Sequence, residues 1–470
     1  MKSYLFLIFF ISHSAWSLTT TDTLKVKELV TETIIKNQEI ENTGVSVSVF
    51  NKKEIIFQSG FGHANMDEKK PVTTKTAFAI GSTTKAFTSL SMKLLENKGL
   101  LNISDRVLDH LNDFKLSNET ITEQATIEDL LSHRVGLPRH DLLWLLSPFD
   151  REENYRRLQY LAFPEKAEEN FRKKFVYNNF MFMVAGKIIE SKTNKSYEYF
   201  VQENIFKPLE MNETFVTVPK NYPDLAEPHY KTVIVPHRDI KDIAPAGSFY
   251  STSGDMTKWI QSLMNKKWKN QEDLFKARIA LDNQEPSLDY GYGLAWMTNT
   301  TSKEYRWYFH NGAIDGFSAF VLFSPELDLG VVVLVNQNGS NIGNQIVTSL
   351  IKYEFSQKPI NKSFVKHAPI KLTGVDKAYD LRSMNVSISR ENEKSFENPG
   401  YGIMSSFQVN GKNYVDYYGN VWETKFFEHY YFNVMVDLIL GDDHYELPMK
   451  VTEELIVAPL ESDIPMIEFK

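Results

Sequence analysis

Apolar residues recur with helical spacing at Leu24, Val26, Leu29, Val30, Ile34 and Ile35, so 22–37 reads as an amphipathic helix behind a Thr/Asp start. The period then changes to two. Gly44-Val45-Ser46-Val47-Ser48-Val49-Phe50 alternates as a strand, Asn51-Lys52-Lys53 turns it, and 54–59 completes a hairpin. Gly81 precedes a helix over 82–96 that Gly99 stops. The stretch 104–215 is largely helical, with helices at 127–131, 155–162, 180–192 and 197–206, and 247–265 adds another after a Gly-Ser loop. Strands return at 291–297, 305–310, 317–323 and 329–336, the last two joined by the turn Ser324-Pro325-Glu326-Leu327-Asp328, and a helix follows at 346–353. Strands from both ends therefore enclose a helical middle, the pattern of one sheet with a helical insertion.

The remainder divides by composition. Residues 356–384 mix Lys, Pro, Ser, Asn and Gly with weak periodicity and read as a linker, and 385–470 reads as short strands with aromatic and glycine punctuation, which suggests a small β-barrel or sandwich. Truncation after about 370 is expected to spare folding of the rest, on the domain sizes that 470 residues imply. At the other end, Lys2, the apolar run 4–11 and the small residues Ala15 and Ser17 make 1–17 a secretory signal peptide, too short to span a bilayer. No later stretch has the length and apolarity of a membrane span, so a stable one is not expected, and the reading is a secreted protein, extracellular or periplasmic according to source. Eight Asn-x-Ser/Thr sequons begin at Asn102, Asn118, Asn194, Asn212, Asn299, Asn338, Asn361 and Asn385; they matter in a eukaryotic source.

The formal net charge of −8 argues against nucleic acid as a partner. The absence of cysteine removes disulfides, thiolate metal sites and a Cys nucleophile together. That leaves serine as a candidate nucleophile. Ser82-Thr83-Thr84-Lys85 opens a helix, so the amine of Lys85 lies on the same face as the Ser82 hydroxyl, and the helix start offers unpaired N–H groups to an oxyanion. The pattern also occurs at Ser349-Lys352 and Ser363-Lys366, which read as bystanders. Tyr177-Asn178-Asn179 supplies a tyrosine that could act as a base if adjacent cations, Lys85 and a third group, lower its pKa; Asn179 could donate to a substrate carbonyl and hold Lys85. Tyr418-Asn420 and Tyr431-Asn433 repeat that spacing. His310-Asn311-Gly312-Ala313 ends a strand, where Gly312 lets a substrate approach the backbone and the Ala313 N–H could be a second oxyanion donor. His133, Arg139 and His140 read as structural loop residues, Gly291-Tyr292-Gly293 as a strand kink, and Asp255 as a cap.

Ser-x-x-Lys at a helix start, then Tyr-x-Asn, then His-x-Gly on a strand resembles the penicillin-recognising serine hydrolases. The class C side is most similar: β-lactamases, D-alanyl-D-alanine carboxypeptidases, D-aminopeptidases and related esterases. Residues 127–141, with Ser132-His133-Arg134-Val135-Gly136-Leu137-Pro138 at their centre, and Gly312-Ala313-Ile314-Asp315-Gly316-Phe317 extend the resemblance over about 25–355. The tail, through Asn398-Pro399-Gly400-Tyr401, resembles a lipocalin-like domain appended to these hydrolases, but the usual Tyr-x-Gly is missing where Arg390-Glu391-Asn392-Glu393 stands.

The resemblance implies an α/β (α+β) fold: a β-lactamase-like antiparallel sheet flanked by helices, with a helical insertion, over 18–355, and a small C-terminal β-barrel. It implies catalysis by Ser82, Lys85 and Tyr177, with Asn179, His310, Gly312 and Ala313 binding substrate or oxyanion. No cofactor or metal is required. The expected substrate is a small molecule or peptide with an ester, amide or peptide bond, and His310, largely neutral at pH 7, favours a peptidase, amidase or esterase over an efficient β-lactamase. The alternatives are a catalytically inactive secreted binding or matrix protein on the same fold, and a cell-wall transpeptidase. Oligomeric state is not legible.

Overall fold

The computed structural model describes the chain except residues 1–19, 37–42, 231, 282–289, 300–305, 357–390, 410–411, 418–419, 428–430, 438–443, 452–455, 459–466 and 470. The leader expected at 1–17 and all but the first residue of the linker expected at 356–384 lie outside the described residues; Ser356 ends the helix Ile342–Ser356. Among the described residues, no helix is long and apolar enough to cross a membrane.

A nine-stranded antiparallel sheet runs in the order Lys70–Pro71, Ile55–Asn65, Gly44–Phe50, Leu329–Val335, Phe317–Ser324, Trp307–Ile314, Met297–Asn299, Tyr290–Tyr292, Ile279–Ala280. The two ends of the hydrolase-like region meet in its middle, where Val47 pairs with Val333. The alternating strand Gly44–Phe50 is buried along its whole length, not half-exposed as a period of two ordinarily implies. Its valines pack with Val26, Val30, Ile342 and Ile346 of the helices Thr20–Lys36 and Ile342–Ser356. Its serines face the helix Ser253–Met264 through hydroxyl pairs, Ser46 Oγ to Ser253 Oγ at 2.8 Å and Thr257 Oγ1 to Ser48 Oγ at 2.7 Å. Buried hydroxyls need such partners, so a polar strand face can join a core when its mates are hydroxyls too.

Several boundaries differ from the sequence expectation. The second hairpin strand continues past Ser59 to Asn65. The expected strand 291–297 is two short strands, Tyr290–Tyr292 and Met297–Asn299, paired antiparallel. The helix expected from 247 begins at Ser253, where the Thr252 hydroxyl accepts from the Asp255 N–H. Thr84–Asn97, preceded by a tight turn Gly81–Thr83, is buried almost all round, a central helix between the sheet and the insertion.

The C-terminal region is an eight-stranded antiparallel meander, from Glu391–Asn398 to Ile467–Phe469. Its first strand forms although the Tyr-x-Gly signature is missing there. Phe396, Tyr401 and Met404 are buried in the same apolar cluster as the helical insertion, so this end of the meander shares a core with the rest of the chain.

Candidate active site

Ser82 sits in the tight turn that opens Thr84–Asn97, half-buried while its neighbours are buried. Gly81 has φ +48°, and the strand Trp307–Ile314 lies directly against this turn. A Cβ on Gly312 would stand 2.0 Å from Ile80 O, and one on Gly81 would stand 2.7 Å from Ala313 N. The Ala313 N–H thus lies beside the nucleophile turn because neither glycine carries a side chain. Gly312→Ala should displace the strand and lower turnover by roughly 100-fold or more, since misplacement by about 1 Å is enough for such a loss. Turnover within threefold of the parent would contradict this packing.

Lys85 is fully buried. Its Nζ lies 3.1 Å from Ser82 Oγ, 2.7 Å from Asn179 Oδ1 and 2.7 Å from Ala246 O. It also stands over the Tyr177 ring, 4.7 Å from the centroid. Burial, and secondarily the positive charge of Arg139, push its pKa well below the ordinary lysine value. Tyr177 donates its hydroxyl proton to Ser82 Oγ at 2.7 Å. The tyrosine pKa is raised, not lowered as the sequence reading required of a base: burial outweighs the Ser82 hydrogen bond and the Arg139 charge. The resting pair is therefore a phenol and an amine that readily gives up its charge.

The intervening Asn178 caps the helix Asn179–Thr193 by accepting from Met181 N, and its amide donates to Leu137 O and Pro138 O. Asn179 follows as the first helical residue and links Lys85 to Asp141, donating from Nδ2 to Asp141 Oδ1 at 2.9 Å. Its carbonyl oxygen is held by Lys85 and its amide by Asp141, which leaves one amide hydrogen for a substrate.

His310 is 1% exposed. Its Nδ1–H donates to Asn311 O at 2.6 Å, so Nε2 accepts from the Tyr292 hydroxyl at 3.0 Å. Burial depresses its pKa to about 3. Both nitrogens of the neutral imidazole are engaged, and the side chain ties the strand to Tyr292.

Sequence reasoning passed over four neighbours. Arg139 stands over the Tyr177 ring at 4.8 Å and donates from Nε to Asp141 Oδ2 at 2.5 Å; it is the third cation that the sequence reading left unnamed. Asp141 also accepts from Trp144 Nε1 at 2.7 Å. His133, in a left-handed conformation at φ +57°, accepts from Asn178 N and lies 4.2 Å from the Tyr177 ring. Tyr292 anchors His310. Arg139, Asp141 and His133 fall within 127–141, whose resemblance to the family's loop segment is the one signal the sequence carries for them. Asp255 is structural, accepting from Glu213 N, Thr214 Oγ1 and Lys258. The bystander Ser349 hydrogen-bonds Thr33 on the far helix pair.

His140 is nearly fully buried and its pKa is depressed to about 4 by burial. An unfolded histidine titrates near 6.5. The unfolded state thus binds more protons below that pH, so stability falls as pH drops from 6.5 towards 4, by on the order of 3 kcal/mol for this group, with His310 adding in the same direction. Thermal melts should show a clearly lower midpoint at pH 4.5 than at pH 7; an unchanged midpoint would contradict buried neutral histidines.

A serine hydroxyl held between a buried amine and a phenol, on a turn beside the Ala313 backbone, is an arrangement suited to nucleophilic serine chemistry. The comparisons agree with that chemistry. The Beta-lactamase family model matches residues 31–351. The chain belongs to the Beta-lactamase family, whose members are generally serine hydrolases of the penicillin-binding-protein-like kind. Protein flp of Staphylococcus aureus is 27% identical over 321 residues, 66% of this chain and 63% of that protein. Unguisins hydrolase ungD' of Aspergillus campestris is 30% identical over 345 residues, 67% of this chain and 62% of that protein. The chain thus spans somewhat less than two thirds of these relatives' length. The octameric penicillin-binding protein homologue from Pyrococcus abyssi shares the fold with a TM-score of 0.62 at 20% identity, over 96% of this chain and all of that one.

Proposed function

We propose that the protein is an exported serine hydrolase that acts through an acyl-enzyme on an ester, amide or peptide bond. The observation that carries this reading is Ser82 Oγ lying 2.7 Å from the Tyr177 hydroxyl and 3.1 Å from Lys85 Nζ, with burial disfavouring the ammonium. Neutral Lys85 takes the Ser82 proton as Oγ attacks the carbonyl carbon. The N–H groups of Ser82 and Ala313 hold the oxyanion. Tyr177 passes its proton to the leaving alcohol or amine and is refilled from Lys85; the carbonyl–leaving-group bond breaks and the acyl–Ser82 ester remains. Water enters by the reverse relay and releases the acid. Asn179 holds Lys85 in line, supported by Asp141 and Arg139. The name of the Aspergillus relative, a hydrolase, supports this chemistry. The exported location rests on the leader expected at 1–17.

The test is a fluorophosphonate label on the purified mature protein, mapped by peptide mass, beside turnover of p-nitrophenyl butyrate, a D-amino-acid anilide and nitrocefin. Label on Ser82 with turnover of the ester or anilide above nitrocefin is the expected result. Folded protein with neither label nor turnover would replace this reading with the inactive binding protein.

A further inference from the structure

The C-terminal meander touches the hydrolase region beside the catalytic residues. Asn398 folds the turn after the first strand, its Oδ1 accepting from Gly400 N at 2.8 Å and Tyr401 N at 3.2 Å. Arg157 Nη1 donates to Pro399 O at 2.8 Å and fastens the turn to the helical insertion. Tyr401 then enters the core, 1% exposed. Its hydroxyl accepts from Ala162 N at 3.2 Å and lies 2.9 Å from His140 Nδ1, while His140 Nε2 lies 3.0 Å from Ala162 O. A carbonyl can only accept, so Nε2 carries the hydrogen and Nδ1 accepts from the tyrosine. Tyr401, His140 and the Ala162 backbone thus form a closed, fully satisfied buried network.

His140 precedes Asp141 and holds a left-handed conformation at φ +50°, which a non-glycine residue keeps only where its surroundings impose it. Asp141 carries the Asn179 amide, and Asn179 carries Lys85. We propose that Tyr401 is a positioning residue for the hydrolase site: by pinning His140 it holds Asp141, and through it Asn179 and Lys85, in line with Ser82. The inference rests on the serine-hydrolase reading. It makes the C-terminal meander a working part of the catalytic unit and not a tethered accessory.

Tyr401→Phe in the full chain keeps the ring and removes only the hydroxyl. Turnover is to be measured well below the melting midpoint, with kcat expressed per Ser82 titrated by fluorophosphonate, so that a smaller folded fraction does not register. The expected result is a 5- to 30-fold lower kcat per site with KM within threefold. His140→Asn breaks the same link from the other side with a residue that tolerates left-handed backbone. It should lower kcat comparably, and the double variant should be no worse than the poorer single one, because both remove one interaction. His140→Asn carries the test alone should Tyr401→Phe fail to fold. Wild-type kcat per site in either folded variant, or full additivity in the double, overturns the proposal and leaves the hydrolase reading intact. A parent protein with neither label nor turnover overturns both.

Discussion

Ser82→Ala is expected to lose ester turnover by a factor on the order of 10⁴ or more, with an unchanged circular dichroism spectrum and melting midpoint. The magnitude follows from the role: removing a nucleophile leaves only what oxyanion donors and binding contribute, and in serine hydrolases that residue of activity is small. The fold should survive because Ser82 is half-buried and its Oγ is a hydrogen-bond acceptor for Tyr177 and a neighbour of Lys85, not a member of an apolar contact. Alanine leaves Tyr177 and Lys85 facing each other across a space of one oxygen. Label incorporation should vanish in the variant. Retained label or turnover would move the nucleophile elsewhere and remove the mechanism above.

Lys85→Met is expected to lower kcat by roughly 10³-fold or more, since a serine hydroxyl without a base in reach is a poor nucleophile. The parent's pH profile should agree. Activity requires the neutral amine, and burial moves its pKa well below the ordinary lysine value, so the rate should hold above that lowered pKa and fall as pH drops through it. The acid limb should be absent from the residual rate of the variant. Stability is expected to change little at pH 7, because two effects oppose. Between the lowered pKa and 10.5 the unfolded chain binds a proton the folded chain does not, so removing Lys85 favours the fold. Asn179 Oδ1 and Ala246 O, however, each lose a donor, at about 1–3 kcal/mol for a buried acceptor left alone. A variant that keeps a tenth of the parental kcat would exclude Lys85 as the base.

The octameric homologue shares the fold over 96% of this chain. The hydrogen-bonded turn at Asn398 to Tyr401 gives the C-terminal meander a mechanical reason to be present. Its strands are joined to the helical insertion by buried side chains and not by the 357–390 segment alone.

Ser82 and Lys85 were legible because their relation is local: three residues apart on a helix start puts two side chains on one face whatever the rest of the chain does. The strands, the helical middle and the pairing of chain ends were legible because hydrophobic period reports which face is covered. What sequence could not carry was anything set by contact across long separations. Tyr177 lies 95 positions from Ser82, and its protonation is decided by how deeply the hydroxyl is buried, a property of the packed insertion. The partners of His310, Tyr292 and the Asn311 carbonyl, are likewise set by the fold. Arg139, His140 and Tyr401 read as loop and barrel residues, and only folding sets Arg139 on Asp141, Asp141 on Asn179 and Tyr401 on His140. A sequence by itself determines local geometry and the demand for burial. Only the tertiary structure decides dielectric and hydrogen-bond partners, and those set which titratable groups stay neutral and which side chain serves as base.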